Sequence, residues 1–148
     1  METGITAKLY TKADIAKYTS VRVGETKLGE SIKVTQELQT LTARLESAQK
    51  EGVQHCILLI PEDIGPRANL GRPGANKGPQ AFLQYFLNMQ HNAHLDANKV
   101  LILGEIEVDD LMSEAQSDDI EGLRQLCQKL DERVSPVIES IADAGLEP

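Results

Sequence analysis

The chain has 148 residues, of which 41% are hydrophobic, so one globular domain can bury a substantial core. Its formal net charge of −8 argues against nucleic acid or an anionic membrane as the main partner. The two cysteines, Cys56 and Cys127, lie in apolar runs, which indicates buried thiols in a reducing cytoplasm. The sequence shows no membrane-length apolar run and no signal-peptide pattern at its start, so we expect a cytoplasmic protein.

The first 35 residues are polar and are predicted to form an N-terminal arm or a surface helix. The few apolar positions that could pin a short helix to the body are Leu9, Tyr10, Ile15 and Tyr18. Residues 36–148 are predicted to form a partial α/β domain. Its first helix spans about residues 35–50 and ends at Gly52. The apolar residues at helical spacing there are Leu38, Leu41, Leu45 and Ala48.

Two short apolar runs, at residues 56–60 and 100–103, predict strands buried on both faces. Between them a helix begins at Gly78-Pro79, since proline is tolerated in the first turn of a helix. The predicted apolar face of this helix consists of Ala81, Phe82, Tyr85, Phe86 and Met89. Alternating buried strands and amphipathic helices indicate a parallel sheet covered on both faces.

A last helix is predicted to start near Asp118, with Glu121 at capping-box spacing, and to end at Gly145. Pro136 is expected to kink or restart it. Its apolar stripe consists of Ile120, Leu123, Leu126, Leu130, Val134, Val137, Ile138 and Ile141. Because another strand is expected at residues 146–148, we interpret the chain as part of a larger fold.

The segment from Ile60 to Pro79 is rich in glycine and proline and follows a buried strand. Open α/β sheets bind their ligands at such strand ends. No Asp or Glu occurs from Ile64 to Leu95, whereas Arg67, Arg72 and Lys77 do. The arginines could bind a carboxylate or phosphate, and Asn69 could bond a ligand or brace the turn. The alternative is a plain connection with solvated arginines. Neither a Walker A nor a dinucleotide-binding pattern is present.

The run Gly65-Pro-Arg-Ala-Asn-Leu-Gly-Arg-Pro-Gly-Ala75, followed by Gly78-Pro79, resembles the N-terminal signature of the arginase (ureohydrolase) family, closest to formimidoylglutamases. The resemblance implies the N-terminal part of a three-layer α/β/α fold with a parallel sheet. It also implies that this loop lines the mouth of a two-manganese centre. The substrate would be a small anionic amidine similar to formimidoylglutamate. The substrate-binding residues implied are Arg67, Asn69, Gly71, Arg72 and Gly74.

The chemistry of that family needs a hydroxide held by two metal ions to attack an amidine or guanidine carbon. The corresponding motifs, Gly-Gly-x-His, Asp-x-His-x-Asp and Ser-x-Asp-x-Asp-x-x-Asp-Pro, are missing from this sequence. Asn92-Ala-His94-Leu-Asp96 is similar to the second motif, but it precedes a strand, so we interpret it as a connection. We therefore expect the chain to stop before the metal-binding half, to bind no metal and to be inactive alone.

Other polar candidates have structural interpretations. Asp109-Asp110 is predicted to lie in an exposed loop, Asp118-Asp119 to cap a helix, and His55 to be structural. Two further classes of function stay open beside the hydrolase segment: a non-catalytic anion-binding module and a structural or oligomerisation domain. A homo-oligomer is expected in any of them, because an incomplete sheet exposes edges and apolar surface.

Overall fold

The computed structural model describes residues 6–117 and 119–148 and shows a mixed α/β chain. Three strands form one sheet: β1 (Ala7–Leu9), β2 (His55–Leu59) and β3 (Val100–Ile106). The order is β1-β3-β2, with β2 parallel and β1 antiparallel to the central β3. The predicted α/β class is confirmed, but the sheet is mixed and not all parallel. Strand β1 was not predicted, because three residues of mixed polarity have no readable period.

Six α-helices accompany the sheet in the described residues. Their bounds are α1 Lys12–Tyr18, α2 Leu41–Lys50, α3 Ile64–Ala68, α4 Gly78–Phe86, α5 Asp109–Glu114 and α6 Ile120–Asp143. Short 3-10 turns occupy Leu28–Glu30, Ala75–Lys77 and Ala97–Lys99. No helix in these residues combines the length and apolarity that crossing a membrane requires.

Side chains that alternate along β3 point to the two faces of the sheet. Leu101 and Leu103 pack in a cluster with residues of α2, α3, α5 and α6. Val100 and Ile102 belong to a second cluster with residues of α1 and α4. Buried side chains from the first 35 residues join that second cluster: Tyr10, Ile15, Leu28 and Ile32. The sheet is therefore covered on both faces, as the apolar strands predict.

The predicted strand at residues 100–103 is confirmed and continues through Gly104 to Ile106. Gly104 has φ +145, and a Cβ atom there would lie 2.0 Å from the Lys8 carbonyl oxygen. The close approach of β1 to β3 therefore depends on glycine at this position. The predicted helix before Gly52 is also present, but it begins at Leu41, where the Thr40 side chain accepts from Ala43 N–H. Leu38 lies outside it and is exposed.

Helix α4 begins where Gly78-Pro79 predicted, but of its predicted apolar face only Phe86 packs against the core. Leu83 and Leu87 are the residues buried against the sheet. Phe82, Tyr85 and Met89 are exposed, although the sequence suggested that they form the core-facing side. The helix is apolar almost all round, so its composition alone does not select the face that packs.

The last helix is confirmed in position and in its apolar stripe, of which Leu123, Leu126, Leu130, Val137 and Ile141 are buried. It begins at Ile120 after Asp119, whose carboxylate accepts from Gly122 N–H, while Asp118 lies outside the described residues. The helix runs unbroken through Pro136, so a restart was wrong. Packing on both sides of Pro136 outweighs the loss of one backbone hydrogen bond.

Asp109 and Asp110 form the first turn of α5 and not an exposed loop, which corrects that prediction. Negative charge is favourable at a helix N-terminus, and the buried Leu111 fixes the helix to the core. Both oxygens of Asp110 accept from the Arg133 guanidinium, at 2.7 and 2.6 Å. This bond is the main reason that the pKa of Asp110 falls to about 2.

Candidate functional site

The glycine- and proline-rich segment lies at the carboxyl edge of the sheet, between β2 and α4. Because β2 and β3 are parallel, the segments that follow them leave the same edge. The segment is more ordered than a plain loop, since it contains α3 and the 3-10 turn Ala75–Lys77. Helix α3 packs against α6, which fixes the first half of the segment to the body.

Asp63 is the central polar residue of this segment. Asp63 is only 5% exposed to solvent. One carboxylate oxygen accepts from the Gly74 N–H at 3.0 Å, and the other lies 3.5 Å from Nη1 of Arg67. Asp63 is not among the candidate residues predicted from the sequence. Its spacing of four residues from Arg67 is the local signal that could have indicated an ion pair.

Arg67 is engaged by two partners. Besides the pair with Asp63, its Nη2 donates to the Ala115 carbonyl oxygen at 2.6 Å. Its side chain is 22% exposed. Arg67 thus links the segment after β2 to the end of α5, which follows β3. A contact between Arg67 and a substrate stays a prediction, and it would compete with these two bonds.

Gly71 and Gly74 allow the backbone of the segment to adopt a conformation that residues with a side chain would strain. Gly71 N–H donates to the Pro66 carbonyl oxygen at 2.7 Å. A Cβ atom at Gly71 would lie 2.7 Å from that same oxygen. Gly74 has φ +119, which strains any residue with a side chain. These glycines shape the segment, and a bond from either to a substrate could come only from the backbone.

Arg72 and Asn69 have exposed side chains. No hydrogen bond or ion pair within the described residues engages the Arg72 guanidinium, so its planar fork is available to an anion. Asn69 uses its backbone N–H to end α3, through the Gly65 and Pro66 carbonyl oxygens. Of the five candidate binding residues, these two therefore present side chains to solvent.

The run from Asn92 to Asp96 is a tight connection between α4 and β3, as predicted. The Asn92 side-chain oxygen accepts from the N–H groups of His94 and Leu95 at 2.9 and 3.1 Å. Asp96 caps the 3-10 turn at Ala97, and hydrogen bonds from Asn98 lower the pKa of its carboxyl group. Across residues 6–117 and 119–148, no three His, Cys, Asp or Glu side chains are grouped so that they could hold a metal ion.

The cysteines behave as thiols packed into the body. Burial raises the pKa of Cys56 to about 12, and burial is also the main cause of the raised pKa of Cys127. Tyr10 donates to a Glu105 oxygen at 2.7 Å, and burial raises its pKa above the ordinary value. His55 starts β2, with its Nδ1 3.0 Å from a Glu147 oxygen. Each of these groups contacts or packs against other residues of the fold.

Two cavities are lined by residues outside the glycine-rich segment. One, of about 470 Å³, lies between α1 and the chain around Ile32. The other, of about 400 Å³, lies beside Tyr10 and Arg44. Neither is lined by residues of the segment from Ile60 to Pro79. Arg72 itself is exposed at the surface of the segment.

Comparison with known proteins gives no match: no family model, no curated protein and no solved structure matches this chain. Interpretation of the site therefore rests on its own residues. The described residues form a mixed α/β chain whose segment after β2 contains no Asp or Glu from Ile64 onward.

Proposed function

We propose that the chain is the N-terminal, substrate-binding segment of a manganese-dependent ureohydrolase that cleaves a linear amidine such as formimidoylglutamate. The main support is the exposed guanidinium of Arg72, which lies in an acid-free stretch at the carboxyl edge of a sheet. The sequence resemblance at residues 65–75 supplies the reaction class.

Arg72 binds a carboxylate of the substrate in this proposal, and Asn69 adds a polar contact. Arg67, Gly71 and Gly74 shape the loop. The described residues do not fit a manganese centre, because they contain no suitable group of ligands. In this proposal the two Mn²⁺ ions that such an enzyme uses are held by residues other than the described ones, and the chain alone is expected to be inactive.

A non-catalytic anion-binding module is the second candidate. The same exposed Arg72 favours it, since binding an anion requires no metal. The two functions differ in what they select. A hydrolase segment should prefer formimidoylglutamate to glutamate, whereas a simple anion-binding module should bind both equally.

The test is a titration of the purified chain with formimidoylglutamate, followed by NMR at the backbone amides of residues 69–78. Arg72→Ala should weaken binding about 10- to 100-fold, which corresponds to losing a charge-assisted hydrogen bond of roughly 1.5–3 kcal/mol. Arg72→Lys should restore only part of it, because an ammonium group lacks the planar fork. Melting temperatures should stay close to that of the unmodified chain.

Lys99→Ala is the control, since Lys99 is an exposed cation away from this segment. Its binding should not change. Equal affinity of the unmodified chain for glutamate would favour the anion-binding module. Binding that is unaffected by Arg72→Ala would remove the substrate contact from the proposal.

A further inference from the structure

We infer that Asp63 is a positioning residue, whose buried carboxylate sets the shape of residues 66–74 and thereby the place where Arg72 meets an anion. The identity of that anion rests on the function proposed above. The effect of Asp63 on the shape of the loop is independent of that function.

Asp63 does not perform the role that its position would ordinarily give it. It precedes α3, where an aspartate usually caps the helix by accepting from a backbone N–H two or three residues on. Its side chain makes no such bond. The neighbouring Glu62 instead accepts from Gly65 N–H, at 2.8 Å. The Asp63 carboxylate is thus directed across the loop.

The two partners of Asp63 bracket Arg72 in the chain. Arg67 precedes it and Gly74 follows it, and each contacts a different oxygen of the same carboxylate. Between them the bond from Gly71 N–H to the Pro66 carbonyl oxygen closes a tight turn. One side chain therefore fixes both ends of the stretch that presents Arg72.

The clamp formed by Asp63, Arg67 and Gly74 is also attached to the body. Arg67 donates to the Ala115 carbonyl oxygen at 2.6 Å, and Ala115 is fully buried. Asp63 itself is nearly buried, so water competes weakly for its bonds. Its negative charge and burial exclude direct contact with an anionic substrate, so Asp63 favours binding only through the shape of the loop, while its charge by itself would repel the anion.

The test is backbone hydrogen–deuterium exchange in the purified chain carrying Asp63→Asn. Exchange in residues 70–77 should rise about tenfold or more, because a charge-assisted bond is lost. Exchange at Leu101, Ile102 and Leu103 should stay unchanged, which a general loss of stability would not allow. Glu62→Gln is the matched control. It alters the adjacent carboxylate, which accepts a hydrogen bond from Gly65 N–H and not from Gly74.

If Asp63→Asn unfolds the chain, Arg67→Met provides the same test, because it removes one arm of the clamp and keeps an apolar stem. Loop exchange equal to that of the unmodified chain in the folded variant would overturn the positioning role. Titration with formimidoylglutamate then separates the two ideas. Faster amide exchange in the variant's loop together with weaker ligand binding supports both the positioning role of Asp63 and the proposed function. Faster exchange in the variant, when the unmodified chain does not bind this ligand either, rejects only the proposed function.

Discussion

The carboxylate of Asp14 makes the stability of the start of α1 depend on pH. Its carboxylate accepts from the Thr11 N–H at 2.9 Å, while the Thr11 hydroxyl accepts from Asp14 N–H. The Thr11 backbone bond is the largest cause that lowers the pKa of Asp14 from 3.8 to about 2. Because the folded pKa is depressed, charged Asp14 stabilises the fold above about pH 4, and this contribution is lost as the pH falls towards 2.

Replacing Asp14 by Ala should therefore lower the free energy of unfolding by about 1 kcal/mol near neutral pH and by much less near pH 2. Urea unfolding at several pH values measures this difference. Glu139→Gln, an exposed carboxylate inside α6, should show little effect at either pH. If Asp14→Ala lowered the free energy of unfolding by the same amount at every pH, the carboxylate charge would be excluded as the source of the stabilisation.

Two arginines of one loop show what the sequence can and cannot indicate about the site. Both Arg67 and Arg72 were predicted to bind an anion, from their residue type and the absence of acids from Ile64 to Leu95, and the family resemblance implied that this anion is the substrate. The difference between them is the bond from Arg67 to Ala115, 48 positions along the chain. A contact at that separation depends on the whole fold, so it has no local signal. Only the nearby pairing with Asp63 was readable from spacing.

At the scale of elements, long and strongly apolar patterns were predicted well. Strand β3 and helix α6 follow their runs because burial of those residues dominates their local preferences. Strand β1 was missed because its neighbour β3, and not its own composition, makes it extended. Helix α3 was missed because Gly65 and Pro66 usually mark a turn, yet a proline in the first helical turn costs no hydrogen bond.

Helix α4 provides a test of which face packs. Leu83 is 1% exposed and Tyr85 is 79% exposed. Leu83→Ala should lower the free energy of unfolding by about 2–5 kcal/mol, because it removes buried methyl groups and leaves a cavity. Tyr85→Ser should change it by less than about 0.5 kcal/mol, as exposed positions usually do. Chemical denaturation of both variants compares them directly, and a larger effect for Tyr85 would restore the face that the sequence suggested.

At the scale of the whole molecule, charge is separated along the chain. The segment from Ile64 to Leu95 contributes three positive charges, from Arg67, Arg72 and Lys77, and no acid. The rest of the chain therefore carries −8 − 3 = −11. This separation favours an anionic small molecule at the segment.

We predict that the chain self-associates weakly through the apolar residues exposed at α4. Phe82 and Tyr85 of α4 are exposed, as is Met89 just beyond its end, and Phe82 stacks on Phe86 with ring centroids 4.9 Å apart. Aromatic and methionine side chains are enriched in interfaces. Three such residues cover far less than the roughly 800 Å² per partner of a stable interface, so we expect association only at high concentration.

Sedimentation velocity over a concentration series should show this self-association becoming stronger when salt screens the repulsion between copies of net charge −8. The double variant Tyr85→Ser, Met89→Ser should reduce it. Val23→Ser is the control, since Val23 is fully exposed and belongs to neither α4 nor the sheet. A chain that stays monomeric at every concentration and salt would contradict the prediction, and association equal in the double variant would assign it to the sheet edges instead.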